Sequence, residues 1–215
     1  MGKLTMAETR ILAIIPARGG SERIPRKNLR KLCGKPLIVW TIEAAKQSRH
    51  LNWFAVSTED KEIEDVSRSY GVDVILRPKE LACNNTPMLP VLQHFIKDLV
   101  VDIVVLLQPT SPLRVGEDID LALQKFTLED CDSMVSVCRV KHPYSLGNNR
   151  LTLAEDIYQL NGAIYITKSN IILNENRILG ANIRPYIMPP ERSVDIDTEL
   201  DFKLAEILMK EKQYA

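Results

Sequence analysis

Short apolar runs alternate with amphipathic stretches along nearly the whole chain, and their lengths separate strands from helices. Strands are predicted over residues 11–17, 54–58, 72–76, 102–107, 133–140, 162–167 and 184–188. The run DIVVLL at 102–107 is apolar enough for burial on both faces. Helical spacing falls at 36–47, 61–69, 90–99, 116–126 and 198–212. Pro36 sits in the first turn of its helix, where a missing N–H costs nothing, and Gly71 follows the next helix as a C-cap. Pro87 and Pro90 leave the start of the 90–99 helix open. Residues 145–152 (SLGNNRLT) read as a loop that makes a small excursion, and residues 1–9 as a polar, loosely ordered segment. Strands alternating with helices give an α/β fold around a largely parallel sheet with right-handed crossovers.

Ligands in such folds gather at the carboxyl ends of the strands. Two loops leave apolar strands there, one after Ala17 and one after Leu107. The first follows the sequence ILAIIPARGGSERIPRKNLRKLCGK at 11–35. It combines Gly19 and Gly20 with Arg18, Arg23, Arg26, Lys27, Arg30, Lys31 and Lys35, opposed by Glu22. Glycine lets backbone N–H groups approach a polyphosphate, and guanidinium and ammonium groups neutralise it. A solvated basic face has the same composition.

A length of 215 residues suits one domain with a substantial core. Basic and acidic residues number 28 each, so the cluster is not part of a generally basic surface of the kind that binds nucleic acid. The four cysteines (Cys33, Cys83, Cys131, Cys138) show no CxxC spacing and read as reduced thiols of a cytoplasmic protein. Three histidines without an HExxH pattern argue against zinc, and no apolar run is long enough for a membrane span. GxxxxGK[ST] and GxGxxG are also missing, which sets aside P-loop and dinucleotide enzymes. A cationic glycine loop after the first strand then suits a nucleotidyltransferase, which grips a triphosphate and stabilises departing pyrophosphate.

Two further segments supply polar groups. Asp195 and Asp197 alternate with Val194 and Ile196, so in extended backbone both carboxylates share a face and can converge on one cation. Mg²⁺ takes a few carboxylate oxygens plus phosphate and water. Helix capping reads the same residues differently: Asp197 or Thr198 caps the last helix, with Glu199 and Asp201 in its first turn. The second segment, LLQPTSPLR at 106–114, ends a strand in polar groups. Gln108 can donate and accept together, as a polyhydroxylated substrate requires, although a proline-braced turn would use these side chains on its own backbone.

Taken in order, IIPARGGSERIPRKNLRKLCGKPLI, VSTED, LRPKELA, LLQPTSPLR, NGAIYIT and DIDTELDF resemble the acylneuraminate cytidylyltransferases across nearly the whole chain. The resemblance implies a Rossmann-like nucleotidyltransferase fold in a single domain over 1–215, with a dimerisation excursion at about 140–162 and 168–183. It also implies a homodimer and Mg²⁺-dependent transfer of CMP from CTP to the anomeric hydroxyl of a nonulosonic acid. By position it assigns Ala17, Arg18, Gly19, Ser21, Arg23, Lys27, Asn28 and Arg77 to the nucleotide. Gln108 and Tyr165 fall to the sugar, and Asp195 with Asp197 to the metal. Arg18, Lys27 and Asp197 are the expected catalytic residues.

Several segments depart from the family pattern. Glu22 replaces a customary lysine, with Arg23 one position on to supply the charge. ACNNTPMLPV replaces a Ser/Thr-rich run after Leu81, the stretch at 140–161 is short, and Ile178-Leu179 stand where aromatics are common. The sugar stays open among sialic, deaminated sialic, legionaminic and pseudaminic acids. A Kdo-type acid is the alternative substrate. A non-catalytic nucleotide- or RNA-binding protein is the alternative class, which zero net charge disfavours.

Overall fold

Ile11–Pro16 (β1) is apolar at every position, and both of its faces are covered. Ile11, Ala13 and Ile15 point into one core layer and Leu12 and Ile14 into the other, the period-2 alternation of a central strand. The computed structural model describes residues 9–141, 144–147, 150–153 and 157–213. The expectation of loose order for 1–9 lies outside these residues except at Thr9, which is buried.

After β1 come the two-residue strands Lys31–Leu32 (β2) and Lys35–Pro36 (β3), then Leu37–Gln47 (α1), Trp53–Thr58 (β4), Lys61–Ser69 (α2) and Asp73–Leu76 (β5). Met88–Ile96 (α3), Ile103–Leu106 (β6), Gly116–Leu128 (α4), Ser133–Arg139 (β7), Tyr144–Gly147 (β8) and Arg150–Leu153 (β9) follow. Tyr158–Lys168 (β10), Ser169–Leu173 (α5), Ile183–Ile187 (β11) and Glu199–Gln213 (α6) complete the described chain. The main sheet has the order β11-β7-β10-β6-β1-β4-β5. Its strands run parallel apart from β10, which is antiparallel to both neighbours. From β1 the chain adds β4 and β5 on one side and then crosses to β6 on the other. The carboxyl ends of β1 and β6 therefore flank the topological switch point, where open α/β sheets bind ligands.

Two layers of core cover the sheet. One lies beneath α1, α2 and α4, and the other beneath α3 and α5. A third cluster joins the basic loop to the chain's last helix: Ile24, Leu32, Leu37, Leu113 and Ile196 pack with Phe202, Ala205 and Met209 of α6. It fixes the acidic segment around Ile196 against the loop that carries Lys27. No helix among the described residues is long and apolar enough to cross a membrane.

The expected elements form, with four revisions and one addition, the short helix α5, which no expectation covered. The strand expected at 162–167 is 11 residues long, and its register shifts between Leu160 and Tyr165, where Gly162 has φ 71°. A backbone irregularity of this kind hides a strand's first half from a pattern of alternation. α3 begins at Met88, with Pro90 among the first residues whose N–H groups lack helical acceptors anyway. Around the stretch 145–152 read as loop, residues 144–147 and 150–153 form an antiparallel pair separate from the main sheet; four-residue segments around Asn-Asn carried that signal. The β2–β3 pair turns at Cys33 and Gly34, both at positive φ, and cysteine does not advertise such a turn.

Candidate active site

A cleft of about 430 Å³ opens at the switch point. Arg18, Ser21, Lys27 and Asn28 enter it from the loop after β1, Arg77 from the end of β5, and Gln108 from the end of β6. Asp195 and Asp197 enter from the segment before α6. Each of these was expected from the sequence. Ala17, Gly19, Arg23 and Tyr165 do not line the cleft. Ala17 is fully buried and donates its N–H to the Ser57 carbonyl. Tyr165 packs among core residues on the α3 side, and burial, then the charge of Asp195, raises its phenol pKa.

The basic cluster divides by its partners. Arg26 forks onto Asp60 at 2.5 and 3.0 Å and reaches Glu62 at 2.6 Å. Arg30 pairs with Glu199 and lies 4.2 Å over the Phe202 ring. Lys35 pairs with Glu43 at 2.7 Å and covers Trp40. These cations brace the loop rather than face the cleft. Arg18 and Lys27 do face it: Arg18 Nη1 donates to Asn84 Oδ1 at 2.8 Å, and Lys27 Nζ donates to the Ile196 carbonyl at 2.6 Å. Arg23 sits at the rim on Asp197 Oδ2, 3.1 Å away. Asn28 holds the loop's shape by donating to the Arg18 carbonyl at 3.0 Å.

Contrary to the loop reading, which put the Gly19 N–H on an incoming phosphate, this group is already taken within the protein. It donates to Glu59 Oε1 at 2.7 Å, and a Cβ at Gly19 would stand 2.2 Å from Asp60 Oδ2. Gly20, with open space around it, lines the cleft. Glu59 Oε2 also accepts two bonds from the buried Arg77 at 3.1 and 3.2 Å. Burial lowers the Arg77 pKa and Glu59 opposes that shift. One carboxylate thus ties β4 to the loop after β1 and to the end of β5. Nothing in VSTED distinguishes Glu59 from its neighbour Asp60 or signals such a role.

Asp60 shows the structural side of the cluster most clearly. It caps α2 by accepting the N–H groups of Glu62 and Ile63, and the Arg26 guanidinium holds its carboxyl below the usual carboxylate range despite burial. Its contribution is complete above the unfolded carboxylate pKa of about 3.9 and is lost as pH falls through the lower folded value. Asp60→Ala should therefore cost about 1–2 kcal/mol at neutral pH, and urea unfolding should show the gap to wild type closing in acid.

Asp197 and Thr198 settle the competing cap reading. Thr198 Oγ1 accepts from the Asp201 N–H at 3.3 Å while Asp201 Oδ2 accepts from the Thr198 N–H at 2.7 Å, a reciprocal capping box. The Asp197 carboxylate takes no part and stays at the cleft, 3.4 Å from Lys27 Nζ. Between the two acids, Ile196 is wholly buried and donates its N–H to the Thr110 carbonyl at 2.7 Å. Burial raises the Asp195 pKa; a bond from the Thr110 side chain opposes this and the charge of Asp197 adds to it. Asp195 Oδ1 is buried with no hydrogen-bond partner. Among the described residues no three His, Cys, Asp or Glu side chains form a metal-binding group. A cation here would draw on two carboxylates and take its other oxygens from substrate and water, the coordination that suits Mg²⁺.

Gly162 was not expected at the site. A Cβ there would lie 2.8 Å from Gln108 Oε1 and 3.0 Å from Asp195 Oδ2, so β10 approaches both groups through a bare backbone. Asn-Gly inside a strand pattern was the available signal. Arg114 lies behind this wall, buried, with Nη1 donating to the Ala163 carbonyl at 2.5 Å and to the Gln108 carbonyl at 3.4 Å. Burial pulls its pKa down to about 9. It joins the Gln108 turn to β10. Asn84, Thr86 and Met88, from the segment that departs from the family pattern, also line the cleft.

The sequence profile of the cytidylyltransferases matches residues 12–214. CMP-N,N'-diacetyllegionaminic acid synthase of Legionella pneumophila is 38% identical over 96% of this chain and 99% of that protein. N-acylneuraminate cytidylyltransferase of Escherichia coli O18:K1:H7 is 36% identical over 95% of this chain; the chain spans about half the length of that relative, 53%. Among solved structures, CMP:2-keto-3-deoxy-manno-octonic acid synthetase complexed with CTP has a TM-score of 0.78 at 18% identity. It matches over 95% of this chain and 100% of the other, which shows a shared fold. With the profile match over nearly its full length and relatives this similar, the chain belongs to the cytidylyltransferase family, together with the acylneuraminate cytidylyltransferases.

Proposed function

We propose that this chain transfers CMP from CTP to the anomeric hydroxyl of a nonulosonic acid, with Mg²⁺, and releases pyrophosphate. The observation that carries the reading is the meeting, in one cleft at the switch point, of Arg18 and Lys27 with Asp195, Asp197 and Gln108. The relatives at 36 and 38% identity, named for acylneuraminate and diacetyllegionaminic acid, support the sugar class.

In this reading Arg18 and Lys27 bind the β and γ phosphates and neutralise the charge that gathers on the leaving pyrophosphate. Gln108 orients the sugar by donating to one hydroxyl and accepting from another. The sugar oxygen forms a bond to the α-phosphorus as the bond to the bridging oxygen breaks, and pyrophosphate takes the electron pair. Among the described residues no histidine lines the cleft, so Asp195 and Asp197 are the basic groups there for the hydroxyl proton. Asp195 and Asp197 would hold Mg²⁺, and the unpartnered Asp195 Oδ1 fits that role. A bound Mg²⁺ supplies Lewis acidity, which lowers the pKa of the attacking hydroxyl. The free thiols suit a reducing cytoplasm. The homodimer is carried by the resemblance alone, which places its dimerisation excursion where the β8–β9 pair lies.

The test is pyrophosphate release from CTP and Mg²⁺ with sialic, deaminated sialic, legionaminic, pseudaminic and Kdo acids. Release with one nonulosonate is expected. Release with Kdo alone would reassign the sugar, and none with any acid while CTP still binds would overturn the reading.

A further inference from the structure

The acidic segment has no strand or helix of its own over residues 193–198. Backbone without ladder bonds keeps its course only where it is pinned. Its middle is pinned at Ile196, by the Thr110 carbonyl and Lys27 Nζ, and its end by the Thr198–Asp201 box. Its start is held at Ser193, whose hydroxyl accepts from Asn161 Nδ2 at 3.0 Å, and one residue earlier at Arg192, from a different part of the fold. The Arg192 guanidinium makes two bonds to Asp118 of α4, Nε to Oδ2 at 3.0 Å and Nη2 to Oδ1 at 2.9 Å.

Asp118 has no exposed surface. It also accepts the Val115 N–H at 3.1 Å and the Tyr186 hydroxyl at 3.3 Å, so donors from the cap of α4, from β11 and from the turn before the acidic segment meet on one carboxylate. Desolvation offsets most of the attraction in such a pair, so it adds little net stability over an apolar replacement. A fork-to-carboxylate contact does fix direction as well as position. Three residues beyond Arg192 stands Asp195, at the cleft.

We propose that Asp118, acting through Arg192, is a positioning residue that sets how Asp195 and Asp197 meet a divalent cation. This rests on the proposed function, because it gives the aspartates their metal. Asp118 and Arg192 lie outside the cleft lining.

The experiment is calorimetric titration of CTP into wild type, Asp118→Asn, Arg192→Lys and Tyr186→Phe, with and without Mg²⁺, alongside thermal unfolding. Asp118→Asn and Arg192→Lys should cut the Mg²⁺-dependent gain in CTP affinity about tenfold, as loss of a ligand-orienting partner does, with metal-free affinity unchanged. Tyr186→Phe removes a bond to the same carboxylate from the β11 side and should leave the gain intact. If Asp118→Asn does not fold, Arg192→Lys decides. A wild-type gain in Arg192→Lys, or an equal loss in Tyr186→Phe, would overturn the positioning role. If wild type itself gains nothing from Mg²⁺, the metal reading of the aspartates fails first, and this assignment with it.

Discussion

Asp197→Asn should lower turnover roughly a hundredfold, equivalent to about 2.7 kcal/mol of barrier, while CTP affinity changes far less. An amide at this position no longer presents negative charge to a cation. The same carboxylate lies 3.1 Å from Arg23 Nη1 and 3.4 Å from Lys27 Nζ. Its neutralisation leaves both cations less compensated and available to the triphosphate, which offsets part of the nucleotide affinity lost with the Mg²⁺-dependent gain. The separation of the two effects distinguishes a metal ligand from a residue that merely holds the basic loop. Steady-state kinetics across a Mg²⁺ titration would show it, and an unaltered kcat would remove Asp197 from the metal.

The alternation of strands and helices was legible because apolar runs and 3.6-residue spacing are local properties of the chain. Strand direction is not local. Nothing in NGAIYIT says that β10 runs against its neighbours, and the register shift near Gly162 concealed half of it. The cleft was legible where residue chemistry and strand ends coincided, as at Arg18, Lys27, Gln108 and the aspartates. The basic cluster was over-read for a physical reason. Arg26, Arg30 and Lys35 meet carboxylates at Asp60, Glu199 and Glu43, and which cation finds an acid depends on long-range packing. Glu59 and Asp118 went unread on the same account, since individual acids in an ordinary loop or helix acquire roles only from what folds onto them.

Gly162→Ala should lower kcat/KM for the sugar by up to about a hundredfold, the scale of a 1 Å misplacement at a reacting centre, with a smaller effect on CTP affinity. Two costs combine there. At φ 71° a residue with a Cβ loses about 1–2 kcal/mol, which appears as reduced stability. The Cβ also falls 2.8 Å from Gln108 Oε1 and 3.0 Å from Asp195 Oδ2, so one or both must move. Gln108 is the end of a flexible side chain and yields more easily than Asp195, which Thr110 holds. Displacement of Gln108 should therefore dominate the kinetic loss. In that case Gln108→Ala, already without the amide, should lose little further activity when Gly162→Ala is added, although its unfolding temperature should fall. Sugar kinetics and thermal unfolding of the two single variants and the double variant separate these costs. Fully additive kinetic losses would instead mean that Gly162 acts through Asp195 or the backbone of β10, independently of the glutamine.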